Sequence, residues 1–201
     1  IPNEEYARLA AQFNPAQFDA AAWAQIAKEA GMKYVVFTSR HHDGFAMFND
    51  PPNDFTSVKT AAHRDFVADY AKAMRAAGLR VGLYYSPLDW RFPGYVMPDL
   101  QRKSAAAMRA QYHRQMKELM TNYGPLDVIW FDGGETDWLS FGGDWKGAEW
   151  KKRPPGQHYA EGFSWQHDHV YALLRQLQPQ ALINGRADMP EIARSLHLEV
   201  D

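Results

Sequence analysis

The feature that most constrains this chain is a repeating unit in which a helical stretch precedes a short apolar run. The clear runs cover residues 34–38, 81–85, 128–131 and 181–184, and the unit recurs every roughly 46 to 54 residues. Residues 196–200 have the composition of a fifth run. Strict alternation of helices with buried strands predicts an α/β fold with a parallel sheet.

Parallel βα units either close into a barrel or form an open sheet. A (β/α)8 TIM-type barrel needs eight strands and typically about 250 residues, whereas this chain of 201 residues shows four or five βα units. We therefore expect residues 1–201 to be the central part of a single (β/α)8 domain whose N- and C-terminal parts are missing. The alternative is an open doubly wound sheet, but no predicted strand is followed by a G-x-G-x-x-G or phosphate-binding loop.

Four helices are predicted from capping residues and apolar spacing. Asn14-Pro15 predicts the start of the first, with Trp23, Ile26 and Ala27 on its apolar face. Asp65 is expected to cap the second helix. The third covers residues 100–123, and the fourth covers residues 167–177.

Composition excludes several classes of function. The formal net charge of −2 gives no basic surface for nucleic acid, and the absence of cysteine excludes disulfides and thiolate chemistry. No stretch is long and apolar enough to span a membrane, so no membrane partner is expected. No signal peptide is visible, and because the chain begins with Ile1 rather than methionine, the compartment is left unassigned, with export favoured.

Polar and aromatic side chains follow the predicted strands where each strand ends. In parallel α/β folds these carboxyl ends meet at the face where ligands bind. The candidates, in chain order, are His41, His42 and Asp43; Tyr84 with Asp89 and Trp90; Trp130 and Asp132; and Asn184 with Arg186. Each has a simpler interpretation alone: Asp132 supports an Asp-Gly turn, and Asp89 and Trp90 only brace a loop. Four such groups at successive strand ends favour a functional site.

Two chemistries fit these residues. The first is a divalent metal held by His41, His42 and Asp43, although neighbouring histidines on an extended backbone are expected to point apart. The second is glycoside hydrolysis, which uses a carboxylate nucleophile such as Asp132, donors for sugar hydroxyls and aromatic rings, and needs no cofactor.

Several motifs carry a family resemblance over nearly the whole chain. They are His-His-Asp-Gly-Phe at residues 41–45, Gly-Leu-Tyr-Tyr-Ser at 82–86, Asp-Trp at 89–90 and Trp-Phe-Asp-Gly at 130–133. In this order and spacing the sequence resembles the α-L-fucosidases of glycoside hydrolase family 29. The resemblance implies a retaining mechanism on a (β/α)8 catalytic domain.

The resemblance also implies roles for individual residues. Asp132 matches the catalytic nucleophile, and His41 and His42 match the pair that binds fucose hydroxyls. Tyr84 and Trp130 match residues that line the sugar pocket, and the arginine of the family's Asn-x-Arg pattern matches Arg186. A His-Trp-Gly block that supplies another sugar-binding histidine is absent before the first predicted strand.

The acid/base of the family is a glutamate in a Thr-x-Glu block, which this chain lacks; Glu191 and Glu199 lie in the neighbourhood without that context. The predicted function is thus a retaining α-L-fucosidase acting on a fucosylated glycan or oligosaccharide, with no cofactor and no metal. Two alternatives remain, a non-catalytic fucose-binding module without the acid/base and a metal-dependent TIM-barrel hydrolase. The oligomeric state is left open, a homo-oligomer included.

Overall fold

The computed structural model describes residues 2–96, 98, 100–132 and 163–185, which form helices that alternate with strands. The strands are β1 (Tyr34–Arg40), β2 (Arg80–Tyr85), β3 (Val128–Phe131) and β4 (Leu182–Gly185). The helices are α1 (Asn3–Arg8), α2 (Ala20–Glu29), α3 (Phe66–Ala76), α4 (Pro93–Val96), α5 (Arg102–Asn122) and α6 (His167–Leu177), and a 3₁₀ turn at Leu9–Ala11 follows α1.

The four described strands form one parallel sheet in the order β1-β2-β3-β4. The register places Thr38, Tyr84, Trp130 and Asn184 opposite one another, so one row of residues crosses the whole sheet. The structure therefore confirms the α/β class with a parallel sheet. The side chains of Thr38, Tyr84 and Trp130 lie on the face opposite to that of their strand neighbours, because side chains alternate along a strand.

Helices cover the other face of the sheet with aromatic contacts. Phe37 of β1 stacks on Tyr70 of α3, and Tyr85 of β2 stacks on Tyr112 of α5. Phe131 of β3 contacts Tyr112 edge to face. These side chains belong to one continuous core, apart from the half-buried Phe37 at its margin. Burial on one face leaves the Tyr84 and Trp130 row available to a ligand.

The predicted start of α2 is wrong. The helix begins at Ala20 rather than after Asn14-Pro15, because the Asp19 carboxylate accepts hydrogen bonds from the backbone N–H groups of Ala21 and Ala22 at 2.9 and 3.0 Å. Its apolar face was also misassigned. Trp23 and Ile26 are 50% and 64% exposed, and the buried positions are the alanines Ala20, Ala24 and Ala27.

The other predicted helices are confirmed with small changes at their ends. Asp65 caps α3 by accepting a hydrogen bond from the Ala68 N–H at 2.8 Å. The predicted fifth strand at residues 196–200 lies outside the described residues. None of the helices in the described part of the chain combines the length and the apolar composition needed to cross a bilayer.

Candidate active site

The ends of three neighbouring strands bring the predicted site residues together. His41 and His42 directly follow β1, Tyr84 lies near the end of β2, and Asp132 directly follows β3. The sheet hydrogen bonding continues one residue beyond β3, because the Asp132 N–H donates to the Tyr85 carbonyl at 3.1 Å. Asp132 is therefore held by the sheet at its backbone.

The Asp132 carboxylate faces a tyrosine and a histidine. The Tyr84 hydroxyl donates a hydrogen bond to Oδ2 of Asp132, and His42 Nε2 lies 3.8 Å from the same oxygen. The carboxylate is 18% exposed, so solvent and a ligand both reach it. A partly exposed carboxylate that is oriented by a hydroxyl donor at the end of a sheet strand has the geometry of a nucleophile or a base.

The two histidines contact each other, and the expectation that they point apart is wrong. Their ring centroids lie 4.0 Å apart, and the His41 ring stacks nearly parallel on Tyr84 at 5.7 Å. The expectation assumed an extended backbone, but β1 ends at Arg40 and the chain turns there, with the Gly44 N–H donating to the His41 carbonyl at 3.0 Å. A turn removes the alternation of side chains that applies to a strand.

His42 is electrically neutral at pH 7. Burial of the ring is the largest cause that lowers its pKa to about 4, and His41 and Arg40 act in the same direction. The carboxylates of Asp132 and Asp43 raise the pKa, but by less. The 3.8 Å approach of His42 to Asp132 is therefore not an ion pair near neutral pH, because an uncharged imidazole carries no net charge.

Among the described residues, the group whose ligand atoms lie close enough to share a metal contains Asp132 rather than the predicted Asp43. The ligand atoms of His41, His42 and Asp132 lie within 4.8 Å of one another, whereas Asp43 accepts hydrogen bonds from the Tyr6 hydroxyl and the Phe45 N–H at 3.0 and 3.1 Å. Two imidazoles and a carboxylate are a ligand set that zinc accepts.

A buried ion network lies beneath the histidines. Arg40 and Asp89, whose side chains are fully buried, pair at 2.5 Å, and Asp89 also pairs with Arg91 at 2.6 Å. The backbone N–H of Trp90 donates a hydrogen bond to the His42 carbonyl at 2.9 Å. The loop that this network holds therefore supports the turn that carries the histidines. The ion pairs of Asp89 with Arg40 and Arg91 support the simpler interpretation of this residue, that it braces a loop.

The remaining sequence candidates have different outcomes. Trp130 is 42% exposed and lies opposite Tyr84 in the register of the sheet. Arg186, Glu191 and Glu199 lie outside the described residues. Sequence reasoning gave no role to Ser86 or Arg40, although Ser86 Oγ lies 2.5 Å from His42 Nδ1. No local pattern indicates a contact between residues more than 40 positions apart.

A large cavity lies beside this cluster rather than on it. Its volume is about 710 Å³, and His41 and Asp43 line it together with mostly apolar side chains, among them Leu9 and Phe13. Asp132 and Tyr84 do not line it. We place the chemistry at the strand ends because the hydrogen-bonded Asp132 carboxylate is there, whereas the cavity is lined mainly by apolar side chains.

Comparison with known proteins gives one consistent result. A model of the α-L-fucosidase family matches residues 2–198. The α-L-fucosidase of Dictyostelium discoideum is 33% identical over 151 residues, which covers 73% of this chain and 32% of that protein. The chain thus spans about a third of the length of the curated relatives it matches.

Solved structures agree in fold. Alpha-L-fucosidase isoenzyme 1 from Paenibacillus thiaminolyticus matches with a TM-score of 0.70 at 37% identity, over 91% of this chain and 41% of that one. An α-L-fucosidase of family 29 from Bacteroides thetaiotaomicron, solved as a trapped covalent intermediate with 2-fluoro-fucosyl fluoride, matches with a TM-score of 0.71 at 29% identity, over 91% of this chain and 38% of that one. Since the family model covers nearly every residue, this chain belongs to the α-L-fucosidase family, glycoside hydrolase family 29.

Proposed function

We propose that this chain carries the nucleophile and part of the sugar site of a retaining α-L-fucosidase. The observation that carries the proposal is the Asp132 carboxylate at the end of β3, which accepts a hydrogen bond from Tyr84 and lies 3.8 Å from His42. The substrate class is a terminal α-L-fucoside of a glycan or oligosaccharide, in keeping with the family. No cofactor is needed, because carboxylates and hydroxyl donors suffice for this reaction.

The reaction assigns a distinct role to each group. Asp132 attacks the anomeric carbon and forms a glycosyl ester, which water then hydrolyses. Tyr84 holds the carboxylate and stabilises its negative charge before attack. His41 and His42 bind sugar hydroxyls, and the exposed ring of Trp130 offers an apolar surface to the sugar. Arg186 is proposed as a further substrate-binding residue on the motif alone.

The acid/base is a second carboxyl group. Retaining glycosidases place it about 5 to 5.5 Å from the nucleophile, where it protonates the leaving group and then activates water. None of the motifs in this chain identifies it. In the complete gene product, Glu191 and Glu199 are the first residues of this chain to mutate in a search for the acid/base.

The described βα units are proposed to belong to a (β/α)8 catalytic domain of which residues 1–201 form the central part. Two observations support this. The four described strands follow one another in the sheet in chain order, and among them the reversal of a doubly wound sheet does not occur. The chain also covers only 41% of the solved fucosidase from Paenibacillus thiaminolyticus, which leaves room for the remaining units of such a domain.

Replacement of the nucleophile tests the function directly. In the complete gene product, Asp132→Gly should reduce turnover of an aryl α-L-fucoside by several orders of magnitude, on the order of the effect of losing a covalent nucleophile. Azide should partly restore turnover, because the small anion enters the space that the carboxylate leaves. The matched control is Asp69→Gly, which removes a half-exposed carboxylate on α3. Near-normal turnover by Asp132→Gly would contradict the assignment.

A metal-dependent hydrolase is the second candidate, because His41, His42 and Asp132 bring three ligand atoms within 4.8 Å. The fucosidase proposal predicts that turnover survives extensive treatment with EDTA. Loss of turnover with EDTA and recovery with a divalent ion would favour the metal reaction instead. Binding of fucose without turnover by the wild-type protein would favour the third alternative, a non-catalytic binding module.

A further inference from the structure

Ser86 directly follows β2, and its side chain contacts His42 of the histidine pair. Ser86 is fully buried, and its hydroxyl oxygen lies 2.5 Å from His42 Nδ1. The same oxygen accepts a hydrogen bond from the Leu88 N–H at 3.2 Å. Within the described part of the chain these two groups are the only hydrogen-bonding partners of the hydroxyl.

Counting protons assigns a direction to the bond between Ser86 and His42. A hydroxyl group has one proton to donate, and the Leu88 N–H is itself a donor that cannot accept it. His42 Nδ1 is the remaining partner, so the serine proton points to Nδ1 and Nδ1 must accept. The opposite arrangement, with Nδ1–H donating to the oxygen, leaves a buried hydroxyl proton without an acceptor, which folded proteins avoid.

The other ring nitrogen then has a defined state. A neutral imidazole carries one proton, and because Nδ1 accepts, the proton is on Nε2. Nε2 is the nitrogen that lies 3.8 Å from the Asp132 carboxylate, so the N–H group is beside the proposed nucleophile. An N–H group there donates to a sugar oxygen, and it has no lone pair with which to bind a metal.

We propose that Ser86 is a positioning residue that holds His42 in the Nε2–H tautomer, which makes His42 a hydrogen-bond donor to the substrate at the Asp132 carboxylate. The role in substrate binding rests on the proposed fucosidase function, whereas the tautomer itself does not. Ser86 acts through His42 and does not touch the reacting atoms. The same tautomer disfavours a metal centre at His42, because metal ligation through Nε2 would require the proton to be on Nδ1.

The tautomer is measured by NMR without any activity assay. The complete gene product is labelled with ¹⁵N-histidine at neutral pH, and long-range ¹H–¹⁵N correlations show which ring nitrogen carries the proton. The His42 signals are assigned by their loss in His42→Gln. We expect the Nε2–H pattern in the wild-type protein. The Nδ1–H pattern, or a doubly protonated ring, would overturn the proposal.

Substitution of Ser86 separates a positioning role from a structural one. Ser86→Ala should give a mixture of the two His42 tautomers and lower kcat/KM by about fivefold, the effect of losing one ordinary hydrogen bond. Ser86→Thr retains the hydroxyl and should retain the Nε2–H tautomer. Ser57→Ala is the control, because it removes another fully buried serine hydroxyl, one that donates to the Arg64 carbonyl at 2.7 Å.

The outcomes distinguish this inference from the proposed function. A pure Nε2–H pattern in Ser86→Ala, or its loss in a folded Ser86→Thr, would refute the role of Ser86. If Ser86→Ala does not fold, as a melting curve would show, the wild-type spectrum and Ser86→Thr still decide the question. A wild-type protein with the Nε2–H tautomer but no turnover of α-L-fucosides would support the tautomer assignment and refute only the fucosidase function.

Discussion

The buried ion pair of Arg40 and Asp89 allows a quantitative test of what supports the candidate active site. Both side chains are fully buried and pair at 2.5 Å, and Gln111 donates a further hydrogen bond to Asp89 at 2.9 Å. Asp89→Asn retains the shape of the side chain but removes its charge, which leaves the buried Arg40 cation without its ion-pair partner. Removing one partner of a buried pair costs about 3 to 5 kcal/mol of unfolding free energy.

The assay is urea unfolding of the complete gene product, with circular dichroism as the signal that reports the folded fraction. The matched control is Asp69→Asn, because the Arg64–Asp69 pair has the same 2.5 Å separation but its side chains are 36% and 40% exposed. Solvent screens such a pair, so the control should lose less than about 1 kcal/mol. Equal losses in the two variants would refute the argument that burial, rather than distance, sets the cost.

The pH dependence of the same variant gives an independent check. Burial by itself raises the pKa of Asp89, but the charges of Arg40 and Arg91 and their hydrogen bonds outweigh it, so the pKa of this carboxyl lies below its usual value. The stabilisation from ionised Asp89 is therefore complete above the unfolded pKa of about 3.9 and is lost as the pH falls through the lower folded pKa. The difference in unfolding free energy between the wild-type protein and Asp89→Asn should therefore become smaller only in that acid range.

Three further predictions concern the site itself. The His42 ring should titrate by NMR with a midpoint near its lowered pKa of about 4, and a midpoint near 6.5 would contradict this. The stabilisation that neutral His42 contributes should be complete above about pH 6.5 and should decrease as the pH falls from there towards the folded pKa. Gly44→Ala should lower the unfolding free energy by more than about 1 to 2 kcal/mol, because φ is +81° and a Cβ would lie 2.5 Å from an Asp89 oxygen; an unchanged urea midpoint would contradict it. Tyr84→Phe removes the donor to Asp132 and should lower kcat/KM by about tenfold to a hundredfold with an unchanged melting temperature; unaltered kinetics would argue against it.

The elements of the fold could be predicted because their signals are local. Short apolar runs and a capping aspartate such as Asp65 act within a few positions, and the runs placed the four described strands to within two residues. The error at α2 has the same origin. Asn14 and Asp19 are both suitable capping residues near its start, and Asp19 is the one that forms the side-chain cap hydrogen bonds of this helix.

The contacts that make the site depend on which strands pair and in which register. Tyr84 and Asp132 are 48 positions apart, His42 and Ser86 are 44 apart, and Arg40 and Asp89 are 49 apart. Motifs could nominate Asp132 and the histidine pair, because a family resemblance carries residue types at fixed spacings. They could not show that the histidine rings contact each other or that His42 Nδ1 lies beside the Ser86 hydroxyl. Those features follow from a turn after β1 and from the pairing of β1 with β2, which bring distant groups within hydrogen-bonding distance.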